Sequence, residues 1–493
     1  MAQTARALKY STGLWQRLAP AAVALATFGA FLPVLHNGFV EWDDRENLLL
    51  NPFYRGFTGP HLRWMWTTPK MGLYTPVTWM SFACDYTLWG MNPAGYHLTS
   101  LVIHSLNAAL FFILLRRLLA GAAPEADARF RRTDAPAAAA ALFFSVHPLR
   151  VESVAWATER RDVLGGFFIL LTLLAWLRRE EETAALRARA WAAASWGFYA
   201  LSLLAKPNGM TLPAVLWILG RARRPRPLRA EIRDLLPFAA LAVPAAALAA
   251  WTQVQVGAAA TLDRVGLLER AAIVCYSFRF YLQKTVLPLG LSPFYPLPAA
   301  LDERFAWSAL AVAACAAFLL RTRRPQPATA GAIAAYALLV LPTSGIFQSG
   351  TQLVADRYSY LPALAVSVGA AFVLARASAR LDGRAARATA SAIALGLASL
   401  AALSWRQTFI WRDSRSLWTA VIEREPGAAM AHNGLGVVDG EEDKWDAAIG
   451  EFSTALALSP NLESARLNRR RAIELKELAR GETAKPESSR PRR

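Results

Sequence analysis

Two adjacent carboxylates, Asp43 and Asp44, sit in "HNGFVEWDDRENLLLNP" (36–52), directly after the first long apolar stretch of the chain. A solvated loop would explain the pair, and so would a reaction centre at the lip of a membrane. Other charged residues gather in comparable places. "HPLRVESVAWATERRDVLGG" (147–166) sets His147, Arg150, Glu152, Glu159, Arg160, Arg161 and Asp162 between two apolar stretches. Lys206 closes another in "LLAKPNGMTLP", and "GTQLVADRYSYLP" (350–362) opens one with Asp356, Arg357 and Tyr358. Arginine offers phosphate a planar fork and lysine a point charge. Arg160, Lys206 and Arg357, with Tyr358 beside them, therefore form a candidate set for a buried phosphate. For any one of these residues, ion pairing that only fixes helix packing (Glu152–Arg160, Asp356–Arg357) is the plainer account. Their convergence on one face favours a site.

A polar arc points the same way. His97, Ser100, His104 and Asn107 share one face of a helix with 3.6 residues per turn, and such a stripe in a membrane helix faces the bundle interior. The two histidines lie about 10 Å apart along the axis, too far to share one ion through ligand bonds of about 2 Å. They are expected to hydrogen-bond and to orient Asp43 or Asp44, with His147, Glu152 and Asp356 in similar supporting roles. The spacing indicates no metal site. Cys84, Cys275 and Cys315 form no disulfide framework.

The elements that position these groups follow from composition. The 493 residues are 55% hydrophobic and 18% charged, against about 25% charged in soluble domains, with a mean hydropathy of +0.25. Long apolar runs recur at 18–35, 98–115, 163–177, 191–205, 234–251, 307–320, 328–342, 360–375 and 388–404. The pattern predicts an all-α, polytopic membrane protein. The net charge of +18 is concentrated in short loops such as "RFRR" (129–132), "RARRPRPLR" (221–229) and "RTRR" (321–324). That distribution sets orientation by holding those loops in the cytoplasm, and it argues against a nucleic-acid partner.

Placing the basic loops inside gives a cytoplasmic N-terminus (1–17), a retained signal anchor and a large aromatic outer loop at 37–97. Parity between 225 and 321 then requires one of three apolar stretches not to cross. The weakest, 270–288, carries Arg270, Arg279 and Lys284 and reads as re-entrant or interfacial. The count becomes eleven spans, a transmembrane domain over 18–404, and a C-terminus outside. Within 405–480, "AAMAHNGLGVVDGEEDKWDAAIGEFSTALALSPN" fits one 34-residue helix-turn-helix repeat of tetratricopeptide type, followed by a capping helix. Leu435–Gly436 allows close packing, and Ala448, Phe452 and Ala455 supply an inner face. Residues 481–493 read as disordered. The polar groups gather at the outer boundary, and no internal repeat relates the halves. An enzyme acting on a lipid-borne substrate fits that arrangement better than a transporter does.

"FVEWDDRENLLLNP", "HPLRVESVAWATERRDVL", "LLAKPNGMTLP", "ADRYSYLP" and "WRDSRSLWTAVIEREPGAAMAHNGLG" together resemble bacterial relatives of the transmembrane-and-tetratricopeptide-repeat protein O-mannosyltransferases. The resemblance runs from about residue 30 to 475. It implies a GT-C glycosyltransferase fold and a polyprenyl-phosphate sugar, such as mannose, as donor in place of any cofactor. It also implies a multi-pass location in a bacterial inner membrane, with the repeat on the periplasmic side. The acidic motif of that pattern corresponds to Asp43–Asp44, one of which acts as base; the earlier acid of such pairs, here Asp43, is favoured. Arg160, Lys206 and Arg357 would meet the departing phosphate. Family members often carry long repeat arrays where this chain has barely one, so the acceptor is open between protein and glycan. Two rivals stand beside this reading: a transferase of the same architecture that modifies a lipid or polysaccharide, and a non-catalytic membrane scaffold using its repeat.

Overall fold

The computed structural model describes residues 14–122, 133–257, 265–298, 300–321, 327–347 and 350–483. The predicted cytoplasmic segment up to residue 13, the basic run at 129–132, most of the run at 321–324 and residues 484–493 of the predicted disordered tail lie outside the described residues, whereas 481–483 of that tail are helical. The rest is almost entirely helical. The first part comprises α1 (Leu14–Ala30), α2 (Gly59–Thr67), α3 (Pro76–Trp89), α4 (Pro93–Ala122), α5 (Asp134–Ser145), α6 (Val151–Ala155), α7 (Arg160–Glu181), α8 (Ala185–Ala205) and α9 (Leu212–Arg223). The second comprises α10 (Leu228–Gln255), α11 (Leu267–Val286), α12 (Glu303–Arg321), α13 (Pro327–Val340), α14 (Tyr360–Arg380), α15 (Gly383–Thr408), α16 (Ser414–Arg424), α17 (Ala429–Glu441), α18 (Trp445–Leu458) and α19 (Glu463–Thr483). One short antiparallel ribbon pairs β1 (Tyr295–Pro296) with β2 (Gln352–Val354).

Among the described residues, four helical stretches are long and apolar enough to cross a membrane: 93–122, 228–255, 356–380 and 383–411. The chain is an integral membrane protein. The other predicted spans are helical but shorter or more charged. α5 is the clearest case, because its 12 residues reach only about 18 Å against a hydrocarbon core of about 30 Å. The chain that follows sinks into the protein: residues 146–159 form short turns, and every residue from 144 to 166 is buried. Backbone of this kind is tolerated at depth only where protein surrounds it.

α4 shows why the sequence folds as it does. Pro93 occupies its first turn, where the missing N–H costs nothing, and Asn92 Oδ1 accepts the Ala94 N–H at 3.1 Å. The predicted arc of His97, Ser100, His104 and Asn107 is fully buried against its neighbours. α8 runs to Ala205, the backbone extends at Lys206, and α9 returns the chain so that Arg223 meets Glu180 near the end of α7. Residues 270–286 of the segment 270–288 lie in one unbroken helix, α11. Ser277 Oγ donates to Ser344 O, beyond α13, and the Thr285 carbonyl faces His147 Nε2 at 3.0 Å.

The C-terminal helices pack as a layered hairpin. Ala448, Phe452 and Ala455 of α18 are buried, and α18 ends two residues before Pro460. A Cβ on Gly434 would lie 2.3 Å from the Trp418 ring, and one on Gly436 would lie 2.7 Å from Phe452. Both glycines are there because the neighbouring rings occupy that space. The hairpin is seated on the loop that follows α1. Gly38 N–H donates to Arg412 O at 2.8 Å, Glu41 N–H to Ser414 Oγ at 2.7 Å, and Trp418 Nε1 to Glu41 O at 3.1 Å.

Candidate functional site

The loop bearing the two carboxylates is clamped by tryptophans. Trp42 stacks on Trp156 with centroids 4.8 Å apart and lies near-parallel to Trp411 at 6.4 Å, while Trp156 also stacks on Trp411 at 5.3 Å. This fixes residues 42–44 against the buried 146–159 segment, and there the two aspartates diverge. Asp44 is fully buried and fully used. Its Oδ1 accepts the Thr158 N–H at 2.9 Å and the Thr158 hydroxyl at 2.5 Å, and its Oδ2 accepts the Val40 N–H at 3.1 Å. Burial outweighs these donors and pushes its pKa up to about 6. Asp43 keeps 26% of its side chain exposed, and its nearest cationic partner is Arg161 Nη2 at 3.8 Å. Burial raises its pKa as well, against the opposing pull of Arg161.

Behind Asp43 lies a chain of charges. Glu159 is its hub, accepting from Arg161 Nη2 at 2.5 Å and from Lys206 Nζ at 2.7 Å, with Arg357 Nε 3.8 Å away. Burial opposes ionisation of Glu159, yet Arg161, Lys206 and Arg357 together hold its pKa below the usual carboxylate range. Lys206 also donates to Asp162 at 2.8 Å, and Asp162 accepts from Ser153 Oγ at 3.2 Å. Glu152 accepts the Arg357 backbone N–H at 2.8 Å and pairs with its guanidinium, which lies over the rings of Trp156 and Tyr358. Asp356 accepts the Tyr295 hydroxyl at 2.9 Å, tying the β1–β2 ribbon to the same cluster. Three cations, Arg161, Lys206 and Arg357, thus stand among four carboxylates, Asp43, Glu152, Glu159 and Asp162. An anion arriving here would share Arg161 and Arg357 with Glu159 rather than find them free. Arg161 Nε has no hydrogen-bond acceptor among the described residues.

The structure brings together Asp43, Lys206, Arg357, Tyr358 and Glu152 of the expected site, and it sets others apart. Arg160 is a correction. Its fully buried guanidinium pairs with Asp85 and donates to Ser100 Oγ, Ser81 Oγ and the Tyr96 carbonyl, over the ring of Phe82. It is spent on locking α3 and α4 to the start of α7 and cannot hold a donor phosphate. The histidines do not orient either aspartate. His97 Nε2 faces Gly38 O at 3.2 Å, and His104 bridges the Tyr360 hydroxyl and Ser145 O at 2.8 and 2.9 Å. His147 caps its own turn through the Leu149 N–H at 3.2 Å. The expected Glu152–Arg160 and Asp356–Arg357 pairs are replaced by Glu152–Arg357 and Asp356–Tyr295. Among the described residues, no three His, Cys, Asp or Glu side chains are arranged to hold a metal ion.

Three residues of this cluster carried no role from the sequence, Glu159, Asp162 and Thr158, and Arg161 rather than Arg160 is the arginine that faces Asp43. The signal was present in "ATERRD", because neighbouring helical residues point about 100° apart and only one arginine of the pair can face Asp43.

No protein-family profile matches the chain. Its curated relatives are protein O-mannosyl-transferases, in keeping with the sequence resemblance. Protein O-mannosyl-transferase TMTC4 of Homo sapiens is 27% identical over 215 residues, covering 40% of this chain and 28% of that protein. Tmtc1 of Drosophila melanogaster is 32% identical over 31% of this chain and 17% of its own. F38B6.6 of Caenorhabditis elegans is 23% identical over 88% of this chain and 61% of its own. The chain therefore spans less than two thirds of the length of these relatives. Among solved structures, ArnT from Cupriavidus metallidurans bound to undecaprenyl phosphate aligns over 94% of this chain and 78% of that one, at 16% identity and a TM-score of 0.43. A likeness that low says nothing about chemistry.

Proposed function

We propose that the protein is an integral-membrane inverting glycosyltransferase that moves a sugar, mannose or a similar hexose, from a polyprenyl-phosphate donor to an acceptor hydroxyl. The observation that carries this reading is the division of labour between the two aspartates. Asp44 is saturated by Thr158 and Val40, whereas Asp43 is part-exposed, uncommitted and backed by the Arg161–Glu159–Lys206–Arg357 chain. The O-mannosyl-transferase relatives supply the reaction class.

The chemistry needs little more. A sugar on a lipid phosphate already carries a good leaving group. The acceptor oxygen attacks the anomeric carbon from the face opposite the phosphate, and its proton passes to Asp43. The bond from the anomeric carbon to the phosphate oxygen breaks, the electron pair leaves with the phosphate, and the growing charge is met by Arg161 and Arg357. A single displacement inverts the anomeric centre. Lys206 keeps Glu159 and Asp162 ionised and in place. No metal is assigned a role.

The eleven-span topology belongs to this proposal. The seating of residues 412–418 on Gly38 and Glu41 puts the C-terminal helices at the same end of the bundle as Asp43. An even number of crossings between residues 43 and 412 is then required, and ten after the first span satisfies it. That end would be the periplasmic one, and the hairpin, read as a tetratricopeptide-type repeat, would stand beside the acceptor, a hydroxyl on protein. The test is reconstitution of the full chain in nanodiscs with a polyprenyl-phosphate mannose and a serine/threonine-rich acceptor. Transfer with inverted anomeric configuration supports the proposal, and retained configuration contradicts it. Transfer to lipid or glycan acceptors in place of protein would move the acceptor assignment and leave the site intact.

A further inference from the structure

A cavity of about 380 Å³ opens inside the helix bundle between α4, α7, α9, α13 and α14, away from Asp43. Its walls are apolar, with Phe111, Leu118, Leu173, Leu219, Val368 and Phe372 among them. Two arginines, Arg223 and Arg376, line it where α9 and α14 approach their C-termini. Arg376 lies sixteen residues after Tyr360, about 24 Å along the helix axis from the end that carries the ion-pair network. One compact headgroup cannot reach both places.

The charges at this mouth are poorly matched. Arg116 pairs with Asp134 at 2.7 Å nearby, and Arg179 and Arg226 share Asp234. Arg223 reaches Glu180 only at 3.6 Å, and neither Arg223 Nε nor Glu180 Oε2 has a hydrogen-bond partner among the described residues. Arg376 has neither an ion pair nor a hydrogen bond among the described residues. The Arg223 guanidinium lies against α4 at Gly121, where a Cβ would stand 2.7 Å from Nη1. A guanidinium facing an aliphatic cavity inside a membrane protein is costly unless an anion meets it. An aliphatic surface of this kind is satisfied by hydrocarbon rather than by water.

We infer that this cavity binds an anionic phospholipid from the leaflet opposite Asp43, with an acyl chain in the cavity and its phosphate between Arg223 and Arg376. A basic pocket between membrane helices is suited to such a headgroup, at about 1 kcal/mol per arginine. The polyprenyl tail of a donor held at the Asp43 end would use the same apolar walls, but it would leave Arg376 without a counter-ion among the described residues.

The test uses the full-length protein in nanodiscs of phosphatidylcholine doped with phosphatidylglycerol or, separately, with undecaprenyl phosphate, and reads retained lipid by native mass spectrometry. Wild-type protein should retain phosphatidylglycerol selectively. Arg376→Gln should retain about fivefold less, the ratio that about 1 kcal/mol gives, while phosphatidylcholine retention stays constant. Ala332→Phe, which fills the cavity, should lower phosphatidylglycerol retention with Arg376 intact. Equal phosphatidylglycerol retention by wild-type and Arg376→Gln protein would overturn the inference. So would loss of undecaprenyl phosphate alone in Ala332→Phe, because the cavity would then hold the donor's tail.

Discussion

The ion pairs around residues 150–162 and those of the C-terminal helices are built from the same side chains and do opposite jobs. In the first region Lys206, Glu159, Asp162, Glu152 and Arg357 are all buried, and each charge touches at least one of opposite sign. In the second, Arg466–Glu463 and Arg470–Glu474 stand in solvent, with the Arg470 side chain 80% exposed. A buried charge must be matched or it costs several kcal/mol, whereas an exposed pair is worth about 0–1 kcal/mol. The hairpin coheres through Trp418, Phe452 and its close-packed glycines. The site coheres through charge, so it can be unbuilt one carboxylate at a time.

The largest effect should come from the buried region. Glu152→Ala leaves the Arg357 backbone N–H without its acceptor and the guanidinium with only Gln352 Oε1 at 3.1 Å and Glu159 at 3.8 Å, and breaking a buried pair from one side costs about 3–5 kcal/mol. Thermal unfolding in detergent checks this, and a loss below about 1 kcal/mol would mean that water already reaches Arg357. Asp44→Asn comes next. The amide oxygen can keep both Thr158 bonds, but its NH₂ would face the Val40 N–H, leaving donors unmatched at about 1–3 kcal/mol.

The same variant carries a pH signature. With the Asp44 pKa raised to about 6 in the folded chain, the native state binds the proton more readily than the unfolded one between about pH 4 and 6. Asp44 therefore lowers stability as pH rises through that window, and the penalty is fully present above it. The wild-type-minus-variant stability difference should fall from pH 4 to 7 and then flatten. A difference that rises over the window would reverse the assignment. The smallest effect belongs to the hairpin: Glu474→Ala, which removes the 3.0 Å contact to the exposed Arg470, should cost no more than about 1 kcal/mol. A larger loss would erase the contrast between the two regions.

Much of the fold was legible because membrane helices announce themselves by composition, and because a polar arc on an apolar helix has only one direction to face. His97, Ser100, His104 and Asn107 went where that rule sends them. Their partners did not follow from it. Which aspartate is free depends on Thr158, 114 residues away in sequence, and which arginine meets it depends on Asp85 capturing Arg160 first. Lys206 and Arg357 were identifiable as buried cations; their carboxylate partners, Glu159 and Glu152, were not, because pairing is decided by how the 146–159 turns sink into the bundle. Charge type and approximate depth can be read from sequence, and long-range pairing cannot.

Asp43→Asn and Asp44→Asn, compared side by side in reconstituted sugar transfer with donor binding measured on the same samples, test the central claim most directly. If Asp43 takes the acceptor proton, its amide should lower turnover about 10²–10⁴-fold with donor affinity intact. Asp44→Asn, once corrected for folded fraction, should lose far less. Wild-type turnover by Asp43→Asn protein, or an equal loss in both variants, would contradict the division of labour on which this account rests.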